Sequence, residues 1–184
     1  MTLISFSPYK MEEDLIEQPN ALLSKKAPMK TLIIGIGNPG RGDDGLGPAL
    51  VERLAGAAAG TWPEGSITEP PEGISALWKY QLNIEDAGLI RDFDRVVFAD
   101  ASMEESEPPT LKEITPAASI AFTTHELSPA AVLALSEELY DRAPSAFLLS
   151  IPGFSWDLAE GLSDGARRNL DRAVDLLRDH LERL

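Results

Sequence analysis

The chain of 184 residues contains no cysteine. That excludes disulfides, thiolate metal sites and thiol-protease chemistry, and it fits a reducing compartment. Histidine is almost as scarce, with only His125 and His180. Positive charge is in short supply too: 16 lysines and arginines face 30 acidic residues, a formal net charge of −14. Such a surface repels polyanions, so neither nucleic acid nor an anionic membrane is expected as a partner. A mildly basic protein would be steered towards it. No apolar run approaches the roughly 20 residues of a membrane-spanning helix. The opening MTLISFSPYKMEEDLIEQPN lacks a basic segment followed by a continuous apolar core, so it does not read as a signal peptide. The expected location is the cytoplasm.

What is present is an alternation of apolar strands and amphipathic helices, long enough for one domain with a substantial core. Residues 1–29 read as an N-terminal extension with little to hold it down, although Leu3, Ile4 and Phe6 offer a small docking arm. Residues 30–184 read as the domain. Strands are expected at Leu32–Ile34, Ser66–Glu69, Arg95–Asp100, Leu111–Ile114 (an edge strand) and Ala146–Ile151, with a further extended piece at Ile120–Thr123. Helices are expected after Asp44, over much of Ile74–Ile90, after Ser128-Pro129, and after Ser163-Asp164. The sum is an α/β fold: one three-layer α/β/α domain with a mainly parallel twisted sheet and one antiparallel edge strand.

The organising stretch is Thr31–Leu54, TLIIGIGNPGRGDDGLGPALVERL. A buried strand runs into a glycine-rich turn, then Asp43-Asp44, then a helix whose Leu46, Leu50, Val51 and Leu54 share a face. Open α/β sheets bind ligands at the carboxyl ends of their strands, where this loop falls. Gly35–Gly40 also fits the G-x-G-x-x-G pattern of a dinucleotide site. Two carboxylates before the helix would repel a phosphate there, and Pro39 removes an N–H from the cradle. Glu69, the candidate ribose ligand, lies beyond the usual spacing. The glycines are better explained as letting a tight loop aim Asp43 or Asp44 at a cation, with helix capping as the other use of one of them.

The motif G-x-G-N-x-x-x-x-D-D-G-x-G resembles the opening of the hydrogenase maturation proteases, endopeptidases that trim the C-terminus of nickel-iron hydrogenase large subunits. Tyr80–Glu85 (YQLNIE), Val96–Ala101 (VVFADA) and His125–Pro129 (HELSP) are similar to later segments in the same order. The YQL-x-x-E form most resembles the branch serving cytoplasmic multi-subunit hydrogenases. The resemblance implies three metal-binding and catalytic residues: Asp44, the mid-chain Glu85, and His125, with Asp86 and Gln81 as other choices for the middle ligand. Read as helix, the segment would stack Gln81 and Glu85 on one face. Two carboxylates and one imidazole suit Ni²⁺ or Zn²⁺ and leave coordination positions open. The resemblance further implies that Ni²⁺ arrives with the folded precursor, with zinc or cadmium substituting in vitro, and that the enzyme is a monomer. Asn38 and Asp100 are expected to support the loop, and Arg41 to meet substrate or solvent. His180, among Arg178, Asp179 and Glu182, is expected on the solvated surface. No G-x-S-x-G elbow points to serine hydrolysis. Alternatives are a nucleotide-binding α/β module, a non-catalytic hydrogenase assembly factor, and a relative of the spore germination protease.

Overall fold

The computed structural model describes residues 29–58, 60–68, 73–103, 108–118 and 127–183. Five strands form one sheet: β1 (Thr31–Ile36), β2 (Ile74–Lys79), β3 (Arg95–Ser102), β4 (Thr110–Ile114) and β5 (Ser145–Pro152). Their spatial order is β2-β1-β3-β5-β4, all parallel except the β4–β5 pair. Alternating side chains divide between two faces, as strand geometry requires. Ile33, Val97, Ala99, Leu149 and Ile151 pack under α1 (Leu46–Ala55) and α4 (Asp164–Glu182). Leu32, Ile34, Val96 and Phe98 pack under α2 (Glu85–Ile90) and α3 (Pro129–Tyr140). This is the expected three-layer arrangement with an antiparallel edge strand.

The helix signals around Ser128 and Ser163 hold. Each side-chain oxygen accepts an N–H from three residues on, Ala131 and Ala166 respectively. The middle of the chain departs from expectation. Ile74–Lys79, read as helix, is the parallel edge strand β2, paired residue for residue with β1. The segment lacks internal turn residues, so local pattern leaves helix and strand undecided. The hydrogen bonds offered by β1 choose strand. The expected strand at Ser66–Glu69 shrinks to one antiparallel bridge, Thr68 with Ala76. Helix α2 begins only at Glu85 and runs through Gly88, where a break was expected.

His180 is not a solvated surface residue. Its ring packs edge-on against Phe147 at 4.4 Å, and Nε2 is buried with no hydrogen-bond partner. Burial lowers its pKa, assisted by the positive charges of Arg95 and Arg183. The expected strand at Ile120–Thr123 and the arm at Leu3, Ile4 and Phe6 lie outside the described residues.

Helix α1 sits unusually close to the sheet. A Cβ on Gly47 would stand 2.2 Å from the Ile36 carbonyl oxygen and 2.4 Å from its nitrogen. A Cβ on Gly35 would meet the Gly47 carbonyl at 2.2 Å. Gly47→Ala should therefore force helix and strand apart and cost about 3 kcal/mol in denaturant unfolding. A loss under about 0.5 kcal/mol, the range of neutral surface changes, would contradict the contact.

Candidate active site

The loop after β1 crosses the carboxyl edge of the sheet and is built on its own backbone. Gly37 adopts φ +132, and a Cβ there would lie 1.9 Å from the Asp44 carbonyl oxygen. Asn38 shapes the turn: its Oδ1 accepts the Gly40 N–H at 2.9 Å and its carbonyl accepts the Arg41 N–H at 3.0 Å. The loop-supporting role expected of Asn38 is therefore seen in its own hydrogen bonds. Gly35 and Gly37 are glycines because helix α1 and Asp44 press on them. The space that a pyrophosphate needs is filled by the chain itself, which argues against a dinucleotide cradle.

The two aspartates part company within a short 3₁₀ turn, Gly42–Gly45. Asp43 is fully buried. Its Oδ2 accepts the N–H of Phe154 at 2.7 Å, the N–H of Ser155 at 3.0 Å and the Ser163 hydroxyl at 2.7 Å. Its Oδ1 accepts the Ser163 N–H at 2.7 Å. Burial pushes the Asp43 carboxyl up, but the bonds from Ser163, Phe154 and Ser155 outweigh it and hold the pKa below its ordinary value. Asp43 neither caps a helix nor faces a ligand; it ties the β1 loop to the segment between β5 and α4. Asp44 is half-buried, and its Oδ2 accepts only a 3.2 Å bond from the Asn38 N–H among the described contacts. Of the pair, Asp44 is the one with a carboxylate available to an incoming group.

The mid-chain segment lies beside this loop. The Gly37 N–H donates to the Lys79 carbonyl at 3.0 Å, joining the ends of β1 and β2. From there the chain passes Tyr80–Ile84 into α2, whose first residue is Glu85. Glu85 is exposed. Asp86 is buried, forms an ion pair with Lys79 through Oδ1, and accepts the Asn83 N–H at 2.8 Å through Oδ2. Both of its oxygens are taken, one by Lys79 at the end of β2 and one by the Asn83 N–H at the start of α2, while Glu85 remains exposed. Gln81 precedes the helix, so the expected stacking of Gln81 over Glu85 is not realised. Asp100 lies near the end of β3, opposite Ser150, at the same edge. Arg41 is exposed.

His125 lies outside the described residues. The chain resumes at Leu127, and Ser128 starts α3. Helix α3 leads into β5, which runs parallel to β3, so its first turn stands at the carboxyl edge. Among the described residues, no three His, Asp or Glu side chains are close enough to hold a metal. The donors present at the edge, the Asp44 carboxylate on its loop and the Glu85 carboxylate at the start of α2, are hard oxygen ligands of the kind that divalent cations take. A cleft of 830 Å³ opens on the far side of the glycine loop, between α1 and α4, with Pro39, Gly40, Arg53 and Arg167 in its walls.

No family model matches the sequence, and no match is found among curated proteins. Solved structures do match. The hydrogenase maturating endopeptidase HybD of E. coli is 21% identical, with a TM-score of 0.61 over 84% of this chain and 93% of that one. HycI, a [NiFe] hydrogenase maturation protease of Thermococcus kodakarensis, is 23% identical, with a TM-score of 0.59 over 85% and 95%. HybD of the same archaeon is 20% identical, with a TM-score of 0.58 over 83% and 99%.

The fold is that of the hydrogenase maturation proteases. The likeness to these proteases spans nearly their whole length. Sequence reading missed two features of the edge. One is the clamp made by Asp43; an Asp-Asp pair gives no sign of which member turns inward. The other is the Phe154–Leu158 segment that the clamp holds. Its sequence signal, Phe154, Trp156 and Leu158 alternating with Ser155 and Asp157, has the period of a strand, although the segment forms none.

Proposed function

We propose that this protein is an endopeptidase that removes the C-terminal tail of a nickel-loaded [NiFe]-hydrogenase large-subunit precursor, working as a monomer in the cytoplasm. The observation that carries the reading is Asp44. In a fold shared along its length with maturation proteases, this one carboxylate of the acidic pair stays half-exposed at the carboxyl edge of the sheet. Glu85 begins α2 on the adjoining loop, and His125 supplies the third donor. Nickel is part of the substrate in this reading. Held by the three side chains, it would polarise the scissile carbonyl or activate water. The chain's own share is to recognise the ion with two carboxylates and an imidazole, and to keep Asp44 on a loop stiffened by its close backbone contacts.

The direct test is to incubate the full-length protein with nickel-loaded precursor and weigh the product by mass spectrometry. Loss of a single C-terminal peptide is expected; an unchanged precursor mass would refute the reading. Glu85→Gln should slow cleavage by roughly 10- to 100-fold or more, the scale on which disturbed metal sites lose activity. Cleavage at the wild-type rate would move the middle ligand elsewhere.

The alternative of a nucleotide-binding module has the G-x-G-x-x-G match in its favour but meets glycines already covered by Gly47 and Asp44. Saturable binding of NAD or ATP in a titration would revive it.

A further inference from the structure

Leu158 is 88% exposed and Phe154 54% exposed, both between β5 and α4. Single exposed apolar residues are ordinary. These two differ because the backbone that carries them is held from several sides. Asp43 takes the N–H groups of Phe154, Ser155 and Ser163. In return, the Gly42 N–H donates to the Ala159 carbonyl and the Asp43 N–H to the Ser155 carbonyl, each at 2.8 Å. The Phe154 ring lies against Gly165 in the first turn of α4, where an added Cβ would come within 2.5 Å of it. The Trp156 ring closes on Gly153 in the same way, at 3.0 Å.

A side chain that stands out from a braced backbone has already lost much of the freedom that binding would take away. The brace is also next to the chemistry, because Asp44 directly follows Asp43. Tyr80, Ile84 and Met103, each about half or more exposed, stand after β2 and β3 at the same sheet edge. Along these segments, to the first turn of α4, the described solvent-accessible charges are mainly negative: Asp44, Glu85, Asp157, Glu160 and Asp164 against Arg41 and Arg167. The complementary surface is apolar with a basic border. It also needs a recess to receive Leu158, which a folded protein has and an extended tail lacks.

We infer that the Phe154–Leu158 arm is a docking surface for the folded body of the protein substrate, presented beside Asp44 by the Asp43 clamp. This rests on the endopeptidase reading for the partner's identity.

The test compares the full-length protein with Leu158→Asp and Leu158→Met, using nickel-loaded large-subunit precursor as the probe. Binding is followed by calorimetry and cleavage by initial rates. Leu158→Asp should weaken binding and raise KM by about tenfold or more, with kcat changed less than about threefold; Leu158→Met should restore both. An exposed position should leave the melting temperature unchanged in both variants. If Leu158→Asp binds precursor as tightly as the wild type, the docking proposal is overturned. A wild-type protein that binds precursor without cutting it, and loses it on Leu158→Asp, upholds docking while the endopeptidase reading falls. No binding by the wild type overturns docking. A wild-type dimer that Leu158→Asp dissociates assigns the arm to a second copy and likewise overturns it.

Discussion

Asp44→Asn should lower the rate of precursor cleavage by at least roughly 100-fold, since it removes a charge from the proposed metal set rather than a supporting contact. The fold should not suffer. Asparagine has the same shape, and its amide oxygen can still accept the Asn38 N–H that Asp44 accepts at 3.2 Å. A change in unfolding free energy within about 0.5 kcal/mol is expected. His125→Ala should show the same loss of cleavage. The pair of measurements separates chemistry from stability: full cleavage by both variants would remove these residues from the site, whereas lost cleavage with lost folding would leave Asp44 a structural residue. The contrast with its neighbour makes the outcome specific, because the two aspartates are chemically identical and adjacent.

Asp43→Ala should do the opposite, with its main effect on stability. The substitution removes the acceptor for three backbone N–H groups and one hydroxyl in a buried setting. Donors left unpaired in this way cost a few kcal/mol, so a loss of about 3 kcal/mol in denaturant unfolding is expected. The effect also depends on pH in a defined direction. The folded-state pKa lies below the ordinary value because the hydrogen bonds outweigh burial. The unfolded chain therefore takes up the proton first as pH falls. The stabilisation by Asp43 is complete above the unfolded pKa, near 4, and is lost as pH drops through the folded one. The stability gap between wild type and Asp43→Ala should accordingly be constant at neutral pH and narrow below about pH 4. A gap that is independent of pH would mean that the ionised carboxylate is not what holds the segment. Cleavage should fall with stability, because Asp44 and the Phe154–Leu158 arm are both anchored by this residue.

His180 shows a milder form of the same coupling. Its pKa is lowered by burial and by Arg95 and Arg183. Its contribution is thus present above the ordinary histidine pKa and declines as the solution becomes more acidic. From sequence it looked like one more polar position on a charged helix. Packing against Phe147 could not be foreseen, because helical spacing locates a face without saying how far the neighbouring strand's aromatic ring reaches across it.

The amino-acid sequence by itself determined the α/β class, the strand and helix alternation, the caps at Ser128 and Ser163, and the glycine loop with its acidic pair. These depend on local physics: apolar period, φ preference and capping chemistry act over a few residues and are written in order along the chain. Tertiary structure alone decided that Ile74–Lys79 is a strand, because the partner that makes it one, β1, lies some 40 residues earlier in the chain. It alone decided which aspartate turns inward, because the four donors that claim Asp43 come from Phe154, Ser155 and Ser163, more than 100 positions away. It alone decided that Asp86 is buried against Lys79 at the end of β2 while Glu85 stays exposed. In the first two cases the deciding energy is hydrogen bonding between segments distant in sequence, which has no signature in either segment read alone; in the third it is an ion pair whose geometry depends on where β2 ends.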